Sequence, residues 1–331
     1  MRSSILLLIF LFIFIITLCV SRKIVEGYDH QNFLAIICRI RNEEFMMKTF
    51  IPYYISQGVD KIYLIDDNRL NDALYPETVT NNKHVEFIRS SDIPNNSSDK
   101  EDIMEEMVYA NIVYKRIRPF TKWVMSVDAD EFIYTKNDKT IRETLITDFK
   151  EADLIFIPWV MFSNNGREFD GDDILIDNVH RWNHDKRHDT EFGKTGGRFD
   201  KIECKPIFKA EFFESFKNPH IPTEQNKTEI NIVDGVTNLP REPSKHEDRF
   251  RYFNFRESHI KNAIFLCNHY RFSSIERIKL KCDKKSWGGY TNKFDEDKCV
   301  RLSIEGDFPE KVDEYLKNKW IALKPQATNG Y

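Results

Sequence analysis

Past residue 32 the chain alternates short apolar runs with stretches whose apolar residues recur at helical spacing. Residues 33–38 (Phe-Leu-Ala-Ile-Ile-Cys) form an apolar, partly β-branched run suited to a strand buried on both faces. Residues 43–57 carry Phe45, Met46, Phe50 and Tyr53 or Tyr54 on one helical face and stop at Gly58, a good C-cap, while Pro52 predicts a kink or a split. Residues 59–65 read as the next strand and run straight into Asp66 and Asp67. Strand, helix and strand in this order make a βαβ unit, and hence a parallel sheet. The pattern repeats with a strand at 85–88, a polar loop at 90–98 and a long helix over 99–118. A strand at 123–127 then ends in Asp128, followed by a helix over 140–149 and a strand at 154–157. The prediction is an α/β fold: a Rossmann-like, mostly parallel sheet flanked by helices over 33–158. From Trp159 the pattern loosens into strands and loops up to about residue 255, with helices near 274–281 and 309–319. With no linker or repeat between the halves, 33–320 is expected to be one domain, made of 33–158 and a looser 159–320.

The amino terminus follows a different rule. Arg2 precedes a nearly unbroken apolar run from Ile5 to Val20, and Arg22 and Lys23 follow it. Its length lies between a signal-peptide core of roughly 7–15 residues and a spanning helix of roughly 17–25. We expect residues 1–23 to be an uncleaved signal anchor, 24–32 a short linker, and the rest a lumenal portion of a single-pass type II protein of the ER or Golgi. Cleavage after Ser21 would make the protein secreted instead. Asn95-Asn-Ser97, Asn96-Ser-Ser98 and Asn226-Lys-Thr228 fit the glycosylation triplet. Of six cysteines, Cys19 lies in the apolar run; Cys38 reads as a buried thiol, and Cys267, Cys282 and Cys299 are close enough for one bridge whose pair the spacing does not select. A net charge of -4, with basic residues scattered among acids, excludes an electrostatic case for nucleic acid.

Open α/β sheets bind ligands at the carboxyl ends of their strands. Three polar clusters fall at such ends: Arg41-Asn42-Glu43, Asp66-Asp67-Asn68 and Asp128-Ala-Asp130-Glu131. Asp128 and Asp130 are two apart, so an extended chain turns both carboxylates the same way, a pattern suited to Mg²⁺ or Mn²⁺. Such an ion can neutralise a departing diphosphate. An isolated Asp-x-Asp is more often a solvated turn; the apolar strand before this one and Glu-Phe-Ile after it favour the site.

In this order, Arg41-Asn-Glu43, Tyr63-Leu-Ile-Asp-Asp-Asn68 and Asp128-Ala-Asp-Glu-Phe132 resemble the signatures of GT-A glycosyltransferases, nearest the family 2-like and family 92-like branches. The resemblance runs on through Trp159-Val-Met-Phe162 with Gly166, Lys205-Pro-Ile207 and Asn268-His-Tyr-Arg271 with Ser273 or Ser274 and Lys281, covering roughly 33–290. It implies that Arg41, Asn42, Glu43, Asp67, Asn68 and Asp128 contact a nucleotide sugar and that Asp128, Asp130 and the late His269 hold the metal. It also implies inverting transfer of a hexose, galactose by the family 92 likeness, to a glycan or glycoprotein. Leu70 and Arg167 depart from the pattern, at positions where the branch carries Ser and His.

The residues themselves leave alternatives open. His269 also fits a half-buried strand-end histidine, and His220 beside Pro219 a structural loop histidine. Lys205 fits a solvated strand-edge lysine as well as a phosphate contact, and Trp159 fits core packing as well as a stacking face for a sugar. Glu131 reads as a support for the metal ligands. An inverting transfer needs a carboxylate base; Asp170, Asp172, Glu247 and Asp248 are candidates, and none stands out. Two rival functions stay open: an inactive glycan-binding protein of the same fold, and a metal-dependent phosphotransferase or nucleotidyltransferase.

Overall fold

Parallel strands open the fold, and their carboxyl ends point to one rim. A computed structural model describes residues 30–66, 77–93, 105–186, 197–198, 201–224, 229–241, 252–253, 255–283 and 295–328. The apolar run at 5–20 and the glycosylation triplets lie outside the described residues, among which no helix is long and apolar enough to cross a membrane.

The first half contains β1 (Asn32–Ile40), α1 (Glu44–Ser56), β2 (Lys61–Asp66), α2 (Glu77–Thr80), β3 (Val85–Arg89), α3 (Glu105–Ile117) and β4 (Thr121–Ser126). β5 (Glu131–Thr135), α4 (Ile141–Thr147) and β6 (Leu154–Met161) follow. β1 pairs in parallel with β2 and β4, and β2 with β3, giving the order β3-β2-β1-β4 that the βαβ pattern predicts. α1 is one helix containing Pro52, not two. Its buried face, with Phe50, Tyr53 and Tyr54 fully enclosed, presses both turns flanking the proline onto the sheet. It ends at Gly58, whose φ of 84° favours glycine; there a Cβ would also meet Arg142 Cβ at 2.6 Å. The Thr140 side chain and Glu143 form a capping box that starts α4 where the sequence predicts a helix.

The second half is more regular than its sequence suggests. It holds α5 (Ile174–Asp177), β7 (His180–Arg181), β8 (Gly197–Arg198), β9 (Lys201–Lys209), β10 (Phe213–Asn218), β11 (Ile221–Glu224), β12 (Ile232–Asp234) and β13 (Tyr252–Phe253). α6 (Glu257–Asn262), β14 (Phe265–His269), α7 (Ile275–Cys282), α8 (Glu296–Glu305), β15 (Lys311–Val312) and α9 (Tyr315–Thr328) complete it. The sheet continues from β4 through β9, β6 and β14 to β5, with β9 antiparallel to both neighbours and β14 parallel to β6. β6 runs past the predicted end at 157, which makes Trp159 a strand residue. The helix expected from 309 begins only at Tyr315: Lys311 and Val312 pair with β7, and the Asp313 carboxylate then accepts from the Tyr315 N–H.

One apolar cluster fills the sheet face covered by α1 and α9, and a second lies beneath α3, where Tyr114 meets Phe208, Phe213 and Phe216. Cys38, Cys204 and Cys267 are buried thiols, and Cys282 bridges Cys299 across a separation of 17 residues, tying α7 to α8. A loop of that size implies that reduction lowers stability by about 3 kcal/mol. Urea unfolding with and without reductant, set against Cys282→Ser, should show the same loss for both and no further effect of reductant on the variant.

Candidate functional site

The Asp128–Glu131 turn is closed by its own hydrogen bonds. The Asp128 N–H donates to Glu131 Oε2 at 2.8 Å, and the Glu131 N–H returns to the Asp128 carbonyl at 3.1 Å. The chain then reverses into β5, antiparallel to β14, and this register sets Glu131 opposite His269. The Tyr270 N–H donates to the Asp130 carbonyl at 2.8 Å. From α1, the Tyr54 hydroxyl donates to the Glu131 carbonyl at 2.9 Å and accepts from the Ile133 N–H at 3.0 Å. A turn that reads as a solvated loop by residue type is therefore fixed to a buried helix and a buried strand.

Two lysines neutralise the acids. Lys205 Nζ, fully buried on β9, lies 2.8 Å from Asp128 Oδ2 and 3.0 Å from Glu131 Oε2. Lys281 Nζ, on α7, lies 2.6 Å from Asp130 Oδ2 and donates to the Arg271 carbonyl at 2.9 Å. Lys205 is thus neither a strand-edge residue nor solvated, because β9 has become a central strand with partners on both sides. Burial tends to raise the Asp128 and Asp130 carboxyls. Lys205 outweighs it at Asp128 and Lys281 at Asp130, so both carboxyls sit below the ordinary range. Glu131 goes the other way: its full burial outweighs Lys205 and holds its carboxyl well above that range. The Asp128 side chain is half exposed and Glu131 is enclosed, which is why neighbours on one turn diverge.

Asp130, Glu131 and His269 each offer a ligand atom, and these atoms lie within 4.8 Å of one another. Glu131 Oε1 and His269 Nδ1 are buried with no hydrogen-bond partner among the described residues, and His269 Nε2 is 3.7 Å from Asp130 Oδ1. Burial lowers the His269 imidazole to about 4, so at neutral pH it is the uncharged ring that binds metals. Two carboxyl groups, one imidazole and buried atoms without partners among the described residues fit a divalent cation. Glu131, read from sequence as a support, joins Asp130 and His269 in this group, while Asp128, read as a ligand, lies beside it, half exposed and paired with Lys205.

Opposed titrations follow. His269 is depressed from 6.5 to about 4, so the unfolded chain binds its proton first on acidification, and its contribution to stability is lost as pH falls from 6.5 towards 4. Glu43, on the rim, is raised from 4.5 to about 7, by burial first and then by Asp130 against Lys281. Its contribution runs oppositely, present at low pH and lost as pH rises from 4.5 through 7. In chelator, His269→Gln should therefore remove the gain in stability with rising pH that His269 contributes between about 4 and 6.5, as read from urea midpoints of the two proteins.

The other sequence candidates divide. Asn42 has a left-handed φ of 54°, and its carbonyl accepts from Arg277 Nη1 at 2.7 Å. Arg277 also pairs with Asp170 Oδ2 at 2.9 Å and lies over the Phe45 ring, so α7 grips the Arg41–Glu43 loop. Asp170 is committed to this clamp and to the Ser273 hydroxyl, while Asp172 is exposed. Asp67, Asn68, Glu247 and Asp248 lie outside the described residues. Trp159 lies 4.2 Å, ring to ring, from His269 and 5.2 Å from His220, whose Nδ1 is 2.8 Å from the Cys204 carbonyl oxygen. Arg277 was not read from sequence, and Lys281 was read only as part of the family resemblance, without a role. Their signal is a helical spacing of four, which puts both long cations on one face of α7.

No family model matches this chain, and no curated protein matches it. Among solved structures it is similar to a 4-diphosphocytidyl-2C-methyl-D-erythritol synthase from Anaerococcus prevotii DSM 20548, with 9% identity over 70% of this chain and 97% of that one at a TM-score of 0.30. It is also similar to HddC from Yersinia pseudotuberculosis, with 12% identity over 61% of this chain and 89% of that one, again at 0.30. At these scores neither likeness carries an argument about activity.

Proposed function

We propose that the chain is a metal-dependent glycosyltransferase that moves a hexose from a nucleotide sugar to a hydroxyl of a glycan or glycoprotein. The observation that carries the reading is the cation-ready cluster of Asp130, Glu131 and His269 at the end of β4, on the rim where open α/β sheets take their ligands. When bound, the cation supplies charge neutralisation for a diphosphate leaving group. The chain's own residues do the rest. Asp130, Glu131 and His269 would hold the ion, Lys205 positions Asp128 and Glu131 and Lys281 positions Asp130, and the Asn42 loop, gripped by Arg277, would border the nucleotide. Galactose as the sugar and inversion as the outcome belong to this proposal through the family 92-like resemblance. So does a lumenal domain behind an N-terminal anchor, with which the Cys282–Cys299 bridge agrees, since such bonds persist in oxidising compartments.

The test is turnover by the full chain in detergent. A panel of nucleotide sugars is supplied with Mn²⁺, and both released nucleoside diphosphate and transferred sugar are followed, with and without chelator. Selective release from one donor, lost on chelation, supports the reading and names the sugar. A folded protein that binds glycan yet releases nothing from any donor points to the inactive binding protein instead. Buried ammonium groups beside metal-binding carboxylates also serve phosphoryl chemistry; pyrophosphate or a phosphorylated product in place of transferred sugar would select that second reading.

A further inference from the structure

β6 runs in the same direction as β4, because β9 lies between them and is antiparallel to both. The carboxyl end of β6 therefore opens on the rim that carries the Asp128–Glu131 turn. Trp159 stands near that end. The β14–β6 register pairs Trp159 with Cys267 and Met161 with His269, so Trp159 and His269 leave the same face of the sheet. Glu131, opposite His269 on β5, and Lys205, opposite Ile157 on β9, share that face. The Trp159 indole lies 4.2 Å, ring to ring, from His269.

Trp159 is only 8% exposed, and its Nε1 is buried with no hydrogen-bond partner among the described residues. An enclosed N–H without an acceptor loses its bond to water and gains nothing in return, a cost that a phenyl ring would not carry. Packing against His269 thus accounts for an aromatic ring at 159 and leaves the indole nitrogen unexplained. Glu131 Oε1 and His269 Nδ1 are also enclosed without partners among the described residues, and a cation can satisfy them. A cation does nothing for an N–H. What suits both together is an anionic oxygen that only accepts, and the non-bridging oxygens of a phosphate are of that kind. A sugar hydroxyl would in addition have to place its own proton.

We propose that the Trp159 indole N–H donates to a non-bridging oxygen of the diphosphate in the nucleotide sugar, beside the cation cluster of Asp130, Glu131 and His269; this rests on the transferase reading above. Trp159 then belongs to the nucleotide side of the site. The nucleotide sugar and the nucleoside diphosphate it leaves behind both carry that oxygen, so both depend on the contact. A contact to the sugar would matter for the first alone. The hydrogen bond forms only with ligand, so its loss leaves the cation's own affinity as it was.

The test is Trp159→Phe in the full chain in detergent, which keeps an apolar ring and removes the N–H. Calorimetric titrations use Mn²⁺ alone, then uridine, guanosine and cytidine diphosphates and their nucleotide sugars in Mn²⁺. We expect the affinity for the nucleoside diphosphate that wild type binds, and for its nucleotide sugar, to fall by about tenfold or more, the worth of one hydrogen bond to a charged oxygen. Mn²⁺ affinity should stay within about twofold of wild type, since no ligand of the ion is altered. Unchanged nucleoside diphosphate affinity would overturn the assignment, while sugar transfer by wild type would leave the transferase reading intact. Loss for the nucleotide sugar alone would overturn it too, by placing the N–H on the sugar. An equal loss of Mn²⁺ affinity would trace the effect to the packing of His269 and sink the assignment as well. Should Trp159→Phe fail to fold, benzothienylalanine at position 159 replaces the N–H by sulfur within the same ring shape and is read by the same outcomes. A wild type that binds no nucleoside diphosphate and transfers no sugar from any donor overturns the transferase reading, and the diphosphate contact with it.

Discussion

Lys205→Met should destabilise the protein by about 3–5 kcal/mol, the range for removing one partner of a buried ion pair. Lys205 and Glu131 are both fully enclosed at 3.0 Å, and Asp128 depends on the same ammonium at 2.8 Å. Methionine fills the stem's volume, so the loss isolates charge from packing. Glu131 is left without its cation in a site that already pushes its carboxyl well up by burial, and proton uptake is its escape. The deficit should therefore shrink at acid pH, where that proton comes at little cost, and Glu131→Gln placed in the Lys205→Met background should recover part of it. Urea unfolding of the four proteins of this cycle measures both effects. A loss below about 1 kcal/mol, the scale of a surface pair, would mean that water reaches the cluster.

Asp130→Asn should lower kcat/KM by at least about 100-fold and weaken Mn²⁺ binding to a similar degree, because even outer partners of metal ligands are worth 10–100-fold. The amide keeps one oxygen near its place and removes the charge. It also leaves Lys281 Nζ, now 2.6 Å from Asp130 Oδ2, without its counterion on a helix fixed by a disulfide. Calorimetric titration with Mn²⁺ and steady-state kinetics report the two losses separately. Unchanged metal affinity would remove Asp130 from the ligand set and with it the observation on which the proposed function stands.

The first half of the fold was legible because β1, β2 and β4 carry apolar runs that end in polar residues, as parallel strands buried on both faces must. The turn after β4 could be read for the same reason: carboxylates cannot follow a buried strand without a purpose or a partner. The second half was harder. β9 carries Glu203 and Lys205 among its core residues, so its hydrophobic period is broken by the charges that matter most. A reader of sequence meets Lys-Ile-Glu-Cys-Lys and sees a solvated edge. Only the partners across the sheet, Asp128 and Glu131, turn that lysine into an interior residue, and they lie over seventy positions away. The disulfide shows the same limit, since three cysteines of suitable spacing differ only in which strand or helix finally carries them. Cys267 is enclosed within β14, while Cys282 and Cys299 face one another from α7 and α8.

The placement of β9 between antiparallel neighbours also constrains how this sequence can drift. Glu203 and Lys205 share one face, while Cys204 and Phe208 pack into the apolar cluster on the other. Loss or gain of a single residue within the strand would exchange the two faces, sending a carboxylate and an ammonium into hydrocarbon and thiol and phenyl groups into the polar cluster. Length changes in related sequences should therefore gather in the connections outside 201–209, and the strand itself should change by substitution alone.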